Sequence, residues 1–339
     1  MLNITKEYSS LIKGIAIIMM VIYHLFSGSN IEQCVNLLHI GNEPLAKWIS
    51  HACGPVPFFL MLSGYGLAYK FEKKELTFAG QSRRVLRIYI HYWIVLLVFL
   101  TIGHCLLPEL YPRNIKHLVL NLLGYSTSYC SVMWFLLPYV IISLLSRYIL
   151  RIIDKIGITP ALLITACINL CTCYVVSPRG YHILFQFPFL YWPVHALHLL
   201  FFFTVGAAMR RTQVKLNRSY PQWAVITATV ALVSLAASTS FSVRYMAYAP
   251  LLFILLCHIH YPSWLRLILE ELGRKSMTIW MIHAWLALYL FQDQFYSLRY
   301  PLLIFLAVML ASYLLSIPIM WVAGKINDLI PSGRASAPK

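Results

Sequence analysis

The stretch Ser10–Phe26, SLIKGIAIIMMVIYHLF, decides how this chain folds. It is apolar over a length that just crosses hydrocarbon as a helix. Its two basic side chains are Lys13 and His24. With Lys13 inside it and no small-residue cleavage site after Phe26, it reads as a retained helix and not as a cleaved signal peptide.

The rest of the chain asks for the same solvent. Its 339 residues are 60% hydrophobic and 11% charged, where a soluble domain carries roughly 25% charged residues. Mean hydropathy is +0.72, and no soluble globule of this size hides that much apolar surface. A cytosolic enzyme, a disordered chain and a secreted disulfide scaffold are thereby excluded. The expected class is an all-α, polytopic membrane protein with about ten transmembrane helices. Spans are placed near 10–26, 52–70, 89–107, 132–150, 160–177, 194–209, 222–240, 244–258, 276–291 and 301–323.

Charge sets the expected orientation. A net charge of +16 arises from 27 Lys+Arg against 11 Asp+Glu. In a soluble protein that balance suggests nucleic acid; in a membrane protein it marks cytoplasmic connections. With the N-terminus inside, Lys47, Arg113, Lys116, Arg179, Arg244 and Arg299 fall on outer segments and Lys13 lies within a span. Every other Lys and Arg, including Lys215, Arg218, Arg334 and Lys339, falls on an inner segment. Moving the frame by one helix inverts the bias, so both termini are expected to be cytoplasmic. The chain reads as one transmembrane domain over 1–324 and a short cytoplasmic tail over 325–339. Membrane lipid is an expected partner and nucleic acid is not.

Between the spans, 27–51 is the longest outer connection and 70–87 the longest basic inner one. The outer stretch 107–131 holds an apolar piece, Leu118–Leu123, too short to span and expected to lie along the surface. The eight cysteines form no C-x-x-C pair. They read as small buried hydrophobes, with a disulfide among the outer Cys34, Cys53, Cys105 and Cys130 left open.

Ionisable groups within hydrocarbon are costly and are functional suspects. Lys13 and His24 stand 11 positions apart, which at 100° per residue is about 20° beyond three full turns. Both therefore project from one helix face, about 16 Å apart along the axis. The plain alternative is that Lys13 snorkels to the headgroups while His24 bonds a backbone carbonyl. Farther on, RRVLRIYIHYW places Arg84 and Arg87 one turn apart, with Arg83 four positions from Arg87. Guanidinium forks suit phosphate oxygens, and anchoring to anionic lipid is the competing reading. Glu43 is a candidate sugar ligand or a solvated loop carboxylate. Trp134 is a stacking platform or an interfacial anchor. Ser276 and His283, two turns apart on one face, are candidate substrate contacts or interhelical hydrogen-bonders. His195 with His198, and His258 with His260, lack a carboxylate or cysteine at ligand spacing, so no metal is expected.

Five segments, taken in order, resemble one family. They are the Lys13-x10-His24 pair, FFLMLSGYGL (Phe58–Leu67), RRVLRIYIHYW (Arg83–Trp93), MWFLLPY (Met133–Tyr139) and LGRKSMTIWMIHAWL (Leu272–Leu286). Together they are similar to the signature segments of the acyltransferase-3 family of membrane acyltransferases, over roughly residues 10 to 286. Position 13 is Lys where many relatives carry Arg, a point charge in place of a bidentate fork.

The resemblance implies transfer of an acyl group, usually acetyl, from coenzyme A to a hydroxyl, most often on a carbohydrate. The cell-surface or lipid-linked polysaccharides of a bacterial inner membrane are the expected setting. On that reading acyl-coenzyme A docks by its phosphates on Arg83, Arg84 and Arg87, and its thioester rises towards His24. The acceptor sugar approaches from outside, with Glu43, Trp134, Ser276 and His283 as candidate contacts. His24 removes the hydroxyl proton as base, or carries the acyl group itself. Lys13 holds a phosphate or the carbonyl side of the donor, or orients the channel. A transporter or flippase is the alternative, but all 11 carboxylates fall on loops or helix ends, which argues against ion coupling. A receptor or purely structural membrane protein leaves the Lys13–His24 pair without a purpose.

Overall fold

Helices begin where polar side chains cap them. In the computed structural model, which describes residues 4–177, 180–212, 220–239 and 243–330, the Thr5 hydroxyl accepts the Tyr8 N–H to open α1 (Lys6–Phe26). The connection after it holds a two-stranded antiparallel hairpin, β1 (His39–Ile40) and β2 (Glu43–Pro44), and a short α2 (Leu45–His51). Next come α3 (Val56–Glu72), α4 (Phe78–Leu106), capped by Thr77, and α5 (Ile115–Leu122), capped by Asn114. A 3-10 turn over Ser131–Phe135 leads into α6 (Leu136–Ile156). Gly157, at φ 90°, turns the chain into α7 (Ile158–Val175) in a conformation open to glycine and strained for other residues. The chain continues through α8 (Tyr181–Gln186), α9 (Tyr191–Arg211), α10 (Gln222–Ser238) and α11 (Arg244–His258). α12 (Ser263–Ala284) widens into a π-helical turn over Trp285–Leu290, and α13 (Gln292–Tyr296) and α14 (Pro301–Asp328) complete the order.

Among the described residues the protein is all-α apart from that hairpin. Among the described residues six helical stretches are long and apolar enough to cross a membrane: α1, α4, α6 with its leading 3-10 turn, α7, α9 and α14. α10 and α11 are shorter apolar helices. α3 and α12 occupy the other two predicted span positions. The expected surface segment is α5. α12 starts well before the predicted residue 276, because LRLILEELGRKS stays helical through ion pairs one turn apart, Arg266–Glu270 and Lys275–Glu271. Arg179, Lys215, Arg218, Arg334 and Lys339 lie outside the described residues, as does the tail from 331 onward. All eight cysteines are free thiols, including the four expected near the outer face.

Two glycine-paired crossings fix the bundle. A Cβ on Gly14 would overlap Leu269 O on α12, and one on Gly273 would overlap Ser10 O on α1. Gly64 and Gly206 are locked in the same way, against Phe203 O and Met61 O, where α3 meets α9. Small residues let backbones approach this closely, and close approach is what drives helix association where lipid competes for every apolar face. Both pairs run parallel. Gly14 meets Gly273 and, farther along, His24 meets His283; Gly64 meets Ala207 and Glu72 meets Arg210 at 2.7 Å. A second ion pair, Arg211–Asp154, ties the end of α9 to the end of α6. The basic ends of α3, α6 and α9 thus gather on one face.

Candidate active site

Two chambers lie along the α1 face that carries Lys13 and His24. The first, of about 630 Å³, is open at the basic end of the bundle. Lys13, Lys70, Arg83, Arg84, Arg87 and Arg274 line it, against the single carboxylate Glu75 among its described lining residues. A concave wall of one charge sign in a low-dielectric setting concentrates ligands of the opposite sign. All three arginines singled out in the sequence are here, as is Ser276, which is 4% exposed.

One of these cations, Arg84, is held by a network of side chains from distant segments. Arg84 Nη2 donates to the Tyr139 hydroxyl and, at 3.4 Å, to Ser63 Oγ. Its guanidinium also lies 5.5 Å from the centre of the Tyr139 ring. Three helices, α3, α4 and α6, therefore aim one guanidinium, and Lys13 of α1 lines the same chamber. Arg87, one turn above Arg84, is solvent-exposed. Tyr139 and Ser63 lie in MWFLLPY and FFLMLSGYGL, where local spacing gives no sign of their partnership with Arg84.

The second chamber, of about 250 Å³, holds His24. Its polar lining is Tyr23, His24, Asn169, His198 and Tyr245, with Trp134 as an aromatic wall, and no Asp, Glu, Lys or Arg lines it among the described residues. Asn169 donates to His198 O at 2.6 Å, joining α7 to α9. The His198 Nδ1 sits 3.1 Å from Thr172 Oγ1. His198 thus stands in a wall of hydrogen-bonding groups, with Thr172 and Asn169 beside it. Among the described residues no three of His, Cys, Asp and Glu converge.

Three side chains, Met20, Phe135 and Trp280, line both chambers and so form the partition between them. Phe135 and Trp280 meet edge to face at 5.7 Å, and the Trp280 indole donates to Val132 O at 3.2 Å. Met20 lies between Lys13 and His24 on the same helix.

His24 Nδ1 stands 3.0 Å from Met20 O and 3.2 Å from Nε2 of His283. His283 is fully buried and lines neither chamber; its contact is with His24. Glu43 lines neither chamber either. It lies on the hairpin, 3.6 Å from His51 and 4.0 Å from Lys47.

A family model described as an acyltransferase domain, that of the acyltransferase-3 family, matches residues 6–321. No protein of curated function and no solved structure matches the chain.

Proposed function

Because this chain belongs to the acyltransferase-3 family, a family of acyltransferase domains, we propose that it moves an acetyl group from cytoplasmic acyl-coenzyme A to a hydroxyl of a cell-surface or lipid-linked carbohydrate in a bacterial inner membrane. The observation that carries the reading is the pairing of two unlike chambers across one partition. One is crowded with cations, the other is uncharged and imidazole-bearing, and three side chains separate them.

The division suits a donor with a polyanionic head and a slender thioester arm. Arg83, Arg84, Arg87 and Lys70 hold the phosphates in the first chamber. Tyr139 and Ser63 keep the Arg84 fork oriented, and Lys13 steadies the arm where it enters the partition. The acceptor hydroxyl enters the second chamber, where Trp134 offers a stacking face and Asn169 and His198 offer hydrogen bonds. His24 Nε2 takes the hydroxyl proton as the oxygen attacks the thioester carbonyl. The carbon–sulfur bond breaks, and His24 returns the proton to the leaving thiolate. Ser276 faces the donor side in this scheme, and Glu43 belongs to the outer rim.

Purified protein in detergent is expected to be stabilised by acetyl-coenzyme A, by about 2.7 kcal/mol at a hundredfold excess over Kd. Absence of any thermal shift over a millimolar titration would overturn the reading, because a carrier of other cargo has no reason to respond. The double substitution Arg84→Gln, Arg87→Gln is expected to raise the donor KM by about 10- to 100-fold, the loss of one to two charge-assisted hydrogen bonds. An unchanged KM assigns both residues to lipid anchoring.

The partition has a further consequence for acyl size. Trp280→Ala removes the largest of the three separating side chains. It is expected to raise the rate with butyryl- relative to acetyl-coenzyme A by about tenfold, the scale at which an apolar pocket discriminates added methylenes. An unaltered ratio would show that the partition does not meet the acyl group.

A further inference from the structure

The bond from His24 to its own preceding turn is not what distinguishes it. His91, His195 and His258 place Nδ1 at 2.7 to 2.8 Å from the carbonyl four residues back, just as His24 does with Met20 O. What sets His24 apart among the described residues is a second imidazole on the same nitrogen, His283 Nε2 at 3.2 Å, with ring centres 5.1 Å apart.

The carbonyls fix where every proton in this pair resides. His283 Nδ1 faces two oxygens, Trp280 O at 2.8 Å and Ile279 O at 3.2 Å. A carbonyl only accepts, so Nδ1 carries the hydrogen and Nε2 of the neutral ring is a lone pair. That lone pair and Met20 O both face His24 Nδ1, so this nitrogen must carry hydrogen as well. The chain of donors then runs in one direction: His24 Nδ1–H to His283 Nε2, and His283 Nδ1–H to the α12 backbone. His24 Nε2 is left without hydrogen, which is the form a base requires.

We propose that His283 is the positioning residue of His24: it fixes the tautomer and ring orientation of the base and accepts a strengthened hydrogen bond when His24 becomes cationic. The inference rests on the reading of His24 as the proton acceptor. No proton leaves the pair in this role. As His24 Nε2 gains the acceptor's proton, the Nδ1–H bond to His283 becomes charge-assisted, and it relaxes when the proton passes to the thiolate. His283 does for His24 what a buried carboxylate does in a serine-hydrolase triad, with a neutral acceptor instead of an anion. The π-helical turn that begins at Trp285, two residues later, belongs to the same element; such turns recur at functional positions because they displace the helix backbone locally.

The test compares His283→Gln with His283→Leu. The Gln carboxamide oxygen reaches the place of Nε2 and accepts the same bond; Leu fills the space and accepts nothing. The measured quantities are acetylation of surface glycan in a host lacking its own enzyme, per molecule of protein in the membrane, and thermal stabilisation of the purified variants by acetyl-coenzyme A. His283→Leu is expected to lower transfer by about 10²-fold while donor stabilisation persists. His283→Gln is expected to recover most of that loss, to within about tenfold of the parent protein. Equal activity of the Gln and Leu variants, or a Leu variant at the parental rate, overturns the proposal. Should Leu fail to insert, His283→Met supplies the same comparison with Gln. His24→Ala separates the two layers. An active His24→Ala overturns the reading of the base itself, whereas an inactive His24→Ala beside an active His283→Leu overturns only the positioning role.

Discussion

His24→Ala is expected to abolish acyl transfer, lowering the rate by about 10³-fold, while the protein still inserts and still responds to acetyl-coenzyme A. The magnitude is that of removing a general base. Among the described residues, no carboxylate lines the chamber that holds His24. The second imidazole there, His198, lies on α9 with its Nδ1 on Thr172. Packing loss does not mimic the effect, because the side chain is only partly buried and borders a cavity. Donor binding is expected to persist because the cations proposed to hold the phosphates line the other chamber, beyond Met20, Phe135 and Trp280. The check is mass spectrometry of surface glycans for the acetyl increment, paired with a thermal titration. Transfer near the parental rate would remove His24 from the chemistry; transfer lost together with donor stabilisation would mean a collapsed protein.

The parts of this site that helical periodicity governs were legible in the sequence. Eleven positions bring Lys13 and His24 onto one face, and the structure puts each on that face at a different chamber, with Met20 between them. One-turn spacing brings Arg84 and Arg87 to the same wall for the same reason. What local spacing does not hold is partnership between distant helices. His24 and His283 are 259 positions apart, and their meeting depends on the register in which α1 and α12 run side by side. Asn169 and His198 likewise become a pair only when α7 packs on α9. Tyr139 reads as an ordinary aromatic residue near the start of a span until the Arg84 guanidinium meets its hydroxyl. Glu43, on the long connection after α1, has Lys47 and His51 beside it at 4.0 and 3.6 Å, neighbours one and two turns on that meet it through the fold of the hairpin and α2.

That register makes Gly273, which also lines the first chamber, a sensitive position of the α1–α12 seam. Gly273→Ala is expected to destabilise the protein by about 1 to 3 kcal/mol, the cost of overpacking a closed interface. It is also expected to cut transfer by more than tenfold. A methyl group at this position has no free space, since its place is already taken by Ser10 O of α1, and the backbone of Gly14 stands directly beside it. Neither obstacle is a flexible side chain that rotates away, so the helices must part or slide. His24 and His283 lie ten positions farther along each helix, about 15 Å up the shared seam. Their 3.2 Å contact has almost no tolerance for such a shift. Gly324→Ala on α14 is the matched control, because nothing lies within 4 Å of the added carbon there. Melting temperature and glycan acetylation of both variants provide the measurement. If Gly273→Ala behaved as Gly324→Ala does, the α1–α12 seam would not be what aligns the two imidazoles, and the geometry of the base would have to be held from another side of the bundle.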